Sequence, residues 1–165
     1  MSVSSITETS QYLTFKLEDE VFALDIAKVR EVLDFTLVAK VPQTPEFMLG
    51  VINLRGTVVP VVDMRLKFAM NRTETTVNTC IIIFEIEIDG ENTVLGALVD
   101  SVQEVMDLDP EQIEPAPRIG TRLNTKFIKG MGKRDNHFII ILDIDKVFSV
   151  DDLATVRNVS EESAA

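Results

Sequence analysis

Tryptophan is missing from this 165-residue chain, and tyrosine, histidine and cysteine occur once each, as Tyr12, His137 and Cys80. One cysteine rules out an intramolecular disulfide and gives no sign of an oxidising compartment; within Thr79-Cys80-Ile81-Ile82-Ile83-Phe84 it reads as a small buried hydrophobe. One histidine, placed where a hairpin starts its return strand, excludes the usual zinc sets and leaves a Ser-His-Asp arrangement without a supporting motif. Basic residues are scarce: 16 Lys and Arg stand against 27 Asp and Glu, for a net charge of -11. That balance, with no basic aromatic-lined face, disfavours both nucleic acid and acidic lipid as partners. The longest apolar runs, residues 80–84 and 138–142, are far too short to cross a membrane, and the Ser/Thr-rich N-terminus has no signal-peptide pattern. A cytoplasmic protein is expected. Phosphate-binding glycine motifs are absent, and Asp107-Leu108-Asp109 lacks the glycine and terminal glutamate of a calcium loop, so no cofactor or metal is expected. A binding module is better supported than an enzyme.

What the chain does contain is 45% hydrophobic residues in short runs rich in Ile and Val, enough for a real core. Residues 12–17 and 21–24 form a first hairpin around Glu18-Asp19-Glu20; residues 79–88 and 93–99 form another around Asp89-Gly90. Asp25 can cap a short helix carrying Ile26, Val29 and Leu33 on one face, although an irregular strand fits nearly as well. Residues 102–108, 127–133 and 138–142 are further strands, and Pro42–Pro45 and the proline-rich residues 109–118 are connectors. Short helices follow Asp63 and Asp143, with room for another at residues 150–156. Residues 1–10 and 158–165 read as tails without fixed structure.

The stretch Gly50-Val51-Ile52-Asn53-Leu54-Arg55-Gly56-Thr57-Val58-Val59-Pro60-Val61-Val62-Asp63 reads as two strands joined by a tight reversal, with Arg55 at the tip and Gly56 supplying positive φ. Pro60 should confine the second strand to a sheet edge or a bulge.

The chain also repeats itself. A shift of 73 residues lays Val29-Arg30-Glu31-Val32-Leu33-Asp34 on Val102-Gln103-Glu104-Val105-Met106-Asp107; a shift of 80 lays Phe47, Gly50, Asp63 and Phe68 on Phe127, Gly130, Asp143 and Phe148. A seven-residue insertion within residues 118–125 reconciles the two. The expectation is a mainly β fold of two similar halves, about 11–80 and 81–150, each of about five strands closing on its own core as a small barrel, with exchange of strands left open. Residues present in both halves belong to the architecture: Gly50 and Gly130 as backbone requirements, Asp63 and Asp143 as helix caps, with Gly56 serving the turn. Arg55 has Asp135 as its counterpart, so the fold does not demand an arginine there.

The run from Phe47 to Arg65, with its N-L-R-G-x-x-x-P-x-x-D centre, resembles the most characteristic stretch of the bacterial chemotaxis coupling protein CheW family, and residues 26–31, 42–45, 95–105, 113–117 and 127–132 follow in that family's order. The resemblance spans roughly residues 11–148. It implies one CheW-like domain over residues 11–157 made of two SH3-like five-stranded barrels side by side. It also implies a non-enzymatic adaptor joining the cytoplasmic tip of chemoreceptors to the regulatory domain of the histidine kinase CheA, in arrays at the inner face of the membrane and in company with other copies of itself. Carried across, Arg55 is the charged receptor contact, with Val29 and Glu31 beside it and Val105 on the facing half; the kinase contacts are not assigned. Neither a receiver domain nor a kinase domain is in the sequence, so it reads as a standalone adaptor, in swimming or in another chemosensory pathway such as surface motility. Two other hypotheses are an enzyme using Asp63 and Asp143 as paired carboxylates and a barrel that binds single-stranded nucleic acid.

Overall fold

The computed structural model describes residues 10–88, 90–115, 127–134 and 137–148. Its strands are β1 (Ser10–Leu17), β2 (Glu20–Asp25), β3 (Val29–Asp34), β4 (Met48–Leu54), β5 (Thr57–Asp63), β6 (Cys80–Ile88), β7 (Glu91–Val99), β8 (Ser101–Leu108), β9 (Ile113–Glu114), β10 (Ile128–Arg134) and β11 (His137–Leu142), with one-turn helices α1 (Met64–Lys67) and α2 (Ile144–Val147). Residues 1–9 and 158–165 of the expected tails, the expected helix at residues 150–156 and the insertion at residues 118–125 lie outside the described residues, as does Asp135, whereas Ser10, expected in the tail, begins β1. Among the described residues no helix is long and apolar enough to cross a membrane.

The strands make two sheets, ordered β8-β1-β2-β11-β10-β9 and β3-β6-β7-β5-β4. The N-terminal hairpin β1–β2 therefore joins the strands of the second half, and β6–β7 joins those of the first. Adjacent hairpin strands pair antiparallel, whereas β5 on β7 and β11 on β2 are parallel, each made possible by a long crossover. The duplication holds at the level of register. Val61 faces Gly96 in one parallel ladder and Ile141 faces Ala23 in the other, which are the shifts of 80 and 73 residues. Val29 opposes Phe84 next to a bulge in one sheet, and Val102 opposes Phe15 next to a bulge in the other.

Each sheet is curled rather than closed by a continuous ring of strand pairs. After β3 the chain returns to the opposite edge, where Ala39 exchanges two backbone hydrogen bonds with Val51 at 2.9 and 2.8 Å. After β8 the chain takes a 3-10 turn at Pro110–Gln112 and returns as β9 on the outer edge of β10. That short strand lies in the segment expected to be only a connector. Both glycines at these crossings are steric requirements: a Cβ on Gly50 would sit 2.1 Å from the Ala39 carbonyl oxygen, and one on Gly130 would sit 2.6 Å from Ile113 Cγ2.

The core differs from two separate barrel interiors. Even-numbered Tyr12 and odd-numbered Ile139 and Ile141 face one small interior with Ala23, Met106 and Leu108; Ile81, Ile83, Val59, Val61, Ile52 and Leu98 fill the other. The largest cluster lies between the sheets, where Leu13, Phe15 and Leu17 from β1 meet Ile82, Phe84 and Ile86 from β6. The alternation explains this: both faces of these central strands are covered, so neighbouring residues serve different cores. Ring contacts Phe15–Phe22, Phe22–Phe68 and Phe68–Phe127, at 5.8 to 6.2 Å, run through the shared cluster. Burial of side chains of this size contributes about 1.5–3 kcal/mol each, so the inter-sheet cluster holds the two sheets together.

Pro60 corrects an expectation. Strand β5 is interior, between β7 and β4. Val51 bonds to Ala39, away from β5, so Pro60 opposite it turns its nitrogen towards β7. The β5 ladder with β7 starts one residue later, at Val61, and the proline marks where it can begin.

Asp63 and Asp143 also part company. Asp63 is fully buried and caps α1, accepting from the Arg65 amide at 3.0 Å, the Thr73 amide at 3.1 Å and Thr73 Oγ1 at 2.7 Å. Asp143 precedes α2 but makes no side-chain cap; its carboxylate lies 3.7 Å from Lys146 Nζ. The residue eighty positions after Thr73 is Leu153, which has no hydroxyl to donate. Cys80 is only partly buried at the start of β6, its thiol 3.2 Å from the Asn78 carbonyl oxygen.

Candidate partner surface around Arg55

Strands β4 and β5 are joined by the two residues Arg55 and Gly56, with φ of 50° and 87°. Two consecutive positive φ angles are the signature of a type I′ turn, whose twist matches that of the flanking strands. Asn53 Oδ1 accepts the Gly56 amide at 2.8 Å across the turn. Asparagine or glycine would occupy the first turn position at little cost, whereas a long side chain in the left-handed region costs roughly 1 kcal/mol. An arginine there, with 70% of its side chain exposed, is placed for what its guanidinium can reach.

It reaches Glu31. Arg55 donates from both terminal nitrogens to the two carboxylate oxygens, Nη1 to Oε1 at 3.3 Å and Nη2 to Oε2. Strand β3, which carries Glu31, and the β4–β5 tip stand at opposite ends of the strand order, so this bidentate pair spans the curl of the sheet. The hydrogen bonds from Arg55 hold the Glu31 carboxyl below the usual glutamate range, and the same bonds raise the arginine. Arg30, the preceding residue, is engaged separately with Glu85 at 2.7 Å.

The structure thus brings together two of the four residues carried over by resemblance. Val29 lies two positions before Glu31 but packs against the inter-sheet core. Val105 is on β8, the edge strand of the other sheet, paired with Leu13 and 48% exposed. Sequence reasoning missed Val32, on the edge strand β3 and 40% exposed; the 73-residue shift that places Val32 on Val105 was the available signal. It also missed the partly buried cluster in which Arg65 Nε donates to Asp100 Oδ1 at 2.7 Å while Asp100 Oδ2 accepts the Glu18 amide at 2.9 Å.

His137 is exposed and borders an open cleft of about 290 Å³ with Thr14, Val21, Gln103, Met106 and Ile139. Thr14 Oγ1 is already committed there, donating to the Glu104 carbonyl at 2.8 Å and accepting the Glu104 amide at 3.1 Å. Among the described residues no three His, Cys, Asp or Glu side chains are grouped to hold a metal ion. Asp63 ends β5 and Asp143 follows β11, in different sheets, and the Asp63 carboxylate is occupied by its three donors.

The sequence model of the CheW-like domain matches residues 11–152. The chain is 37% identical to chemotaxis protein CheW of Klebsiella aerogenes over 94% of its own length and 91% of that protein, and 32% identical to the probable chemotaxis protein CheW of Rhizobium etli over 84% and 87%. The crystal structure of the scaffolding protein TtCheW from Thermoanaerobacter tengcongensis superposes with a TM-score of 0.76 at 37% identity, covering 87% of this chain and 90% of that one. With the two-sheet fold and the Arg55 hairpin, these matches establish that the chain belongs to the CheW-like domain family.

Proposed function

We propose that this protein is a non-catalytic chemotaxis scaffold that couples the cytoplasmic tips of chemoreceptors to the regulatory domain of the kinase CheA, at the cytoplasmic face of the membrane. The relatives named as chemotaxis proteins and the neighbour described as a scaffolding protein support an adaptor role. The observation that carries the receptor assignment is the exposed Arg55 guanidinium held on a rigid two-residue turn beside Glu31. Such a fork, which in the free protein holds Glu31, suits acidic groups on a helical hairpin when it exchanges that carboxylate for the partner's, with Val105 and Val32 offering apolar surface. Net charge of -11 makes a local cation more selective, since the rest of the surface repels an acidic partner.

The test is co-purification with a soluble receptor tip and with the kinase regulatory domain, separately and together. Arg55→Glu should stay folded, lose about tenfold or more in receptor affinity, and keep the kinase domain. Unchanged receptor capture by the folded variant would remove Arg55 from the reading, and loss of both partners would place them on one site.

A further inference from the structure

We propose that Glu31 is a competitor in cis, a carboxylate that fills the Arg55 fork in the free protein and lowers the affinity for the receptor until the receptor's own acidic group displaces it. This role rests on the receptor reading above and differs from the one carried over by resemblance, in which Glu31 is itself a receptor contact.

The guanidinium meets Glu31 end-on. Its two terminal nitrogens donate to the two carboxylate oxygens, Nη1 to Oε1 at 3.3 Å and Nη2 to Oε2, and this is an edge that a partner carboxylate would use for a bidentate contact. While the pair holds, its charges cancel. On a chain of net charge -11 a neutral pair offers an acidic partner no cation to approach, and the attraction appears only once Glu31 has let go. Release is feasible because the pair is exposed: 70% of the arginine and 30% of the glutamate side chain are open to solvent, so water can take over the freed carboxylate. Glu31 is fixed where it stands. It lies opposite Ile83 in the β3–β6 ladder, beside a bulge, and Ile83 is buried in the interior of that sheet. Arg55 rides instead on a two-residue turn at the end of β4 and β5. The repeat also separates the two residues. Position 31 recurs as Glu104 and position 55 as Asp135, so the glutamate belongs to the repeated strand and only the arginine is particular to this site.

Four variants of the full-length protein test this: Glu31→Gln, Glu31→Ala, Arg55→Met and the double variant of Glu31→Gln with Arg55→Met. Competition divides the affinity by the fraction of molecules in which Arg55 is free, so removing an exposed competitor should raise affinity for a soluble receptor tip about two- to sixfold in both Glu31 variants. Capture of the kinase regulatory domain should not change. Arg55→Met should bind the receptor tip more weakly, and in that background Glu31→Gln should give no gain, because Glu31 acts through Arg55. The Glu31 carboxyl, held below the usual glutamate range by Arg55 in the free protein, should titrate closer to the ordinary value in the saturated receptor complex when followed by NMR. Lost or unchanged receptor affinity in the folded Glu31 variants would overturn the proposal, as would a gain that persists without Arg55 or a Glu31 titration that stays depressed in the complex. If Arg55→Met binds the receptor tip as the wild type does, the receptor reading fails and the competitor role falls with it. If Arg55→Met and the Glu31 variants all bind more weakly, the receptor reading stands and only the competitor role falls.

Discussion

Arg65 and Asp100 meet at 2.7 Å between Nε and Oδ1, with a second contact from Nη2, and this pair ties α1 to the point where the chain leaves β7 for the other sheet. Glu18, in the β1–β2 turn, donates its amide to the same aspartate and lies 3.9 Å from the arginine. Three segments from the two sheets are thereby joined at one polar node. The repeat has a counterpart with charges reversed, since Lys28, at the crossover from β2 to β3, pairs with Asp145 of α2 at 3.0 Å.

Both partners of the Arg65–Asp100 node are mostly buried, with 17% and 19% of their side chains exposed. Arg65→Met should therefore lower unfolding stability by about 1–3 kcal/mol, more than an exposed pair is worth. Lys28→Met, at a pair with about a third of each side chain exposed, should cost less. Denaturant titration of both variants, with a double-mutant cycle on Arg65 and Asp100, measures the difference.

Removing the Asp63 carboxylate leaves two amides and a hydroxyl without their acceptor in a buried setting. Asp63→Ala should cost about 2–4 kcal/mol, while Asp143→Ala, with no cap to lose, should cost under about 0.5 kcal/mol. Equal effects would contradict the asymmetry between the two halves.

Gly50→Ala places a methyl group against the Ala39 carbonyl and should prevent the return segment from pairing with β4, with loss of several kcal/mol or failure to fold. Gly56→Ala meets no atoms and carries only the left-handed penalty, about 1 kcal/mol. Thermal unfolding of the two variants separates a steric glycine from a conformational one.

Among the described residues Glu31 has a depressed pKa, owing first to its hydrogen bonds from Arg55. A group depressed in the folded state contributes stability above its unfolded pKa, about 4.3 for glutamate, and that contribution is lost as pH falls through the lower folded value. The stability difference between the wild type and Arg55→Met should thus be present at neutral pH and shrink below about pH 4. It should also shrink with added salt, because the pair is exposed. A difference independent of both pH and salt would assign Arg55 a packing role instead.

Much of this architecture was legible because its causes are local. Turn residues and β-branched runs mark the β4–β5 and β6–β7 hairpins, and the placement of Arg55 at a tip needs only Gly56 after it. Pro60 misled because a proline was weighed against the whole strand, whereas only the side facing β7 lacks a donor, and only before Val61. Asp143 misled because equal position in a repeat does not supply an equal donor: Asp63 caps with the help of Thr73, and nothing in the aspartate itself encodes that partner.

The chain by itself determined most of the strands, the duplication and the exposed Arg55, since period-two patterning and turn chemistry act over a few residues; the residues of β9 read as a connector, and those of β3 fit helix and strand nearly equally. Only the tertiary structure decided that β1–β2 completes the second sheet, that Glu31 meets Arg55, and that Arg65 meets Asp100. Strands covered on both faces look alike in sequence, so either hairpin satisfies the alternation of either sheet. The ladders of β1 on β8 and of β2 on β11 settle the choice, and side chains from both sheets fill the core shared between them.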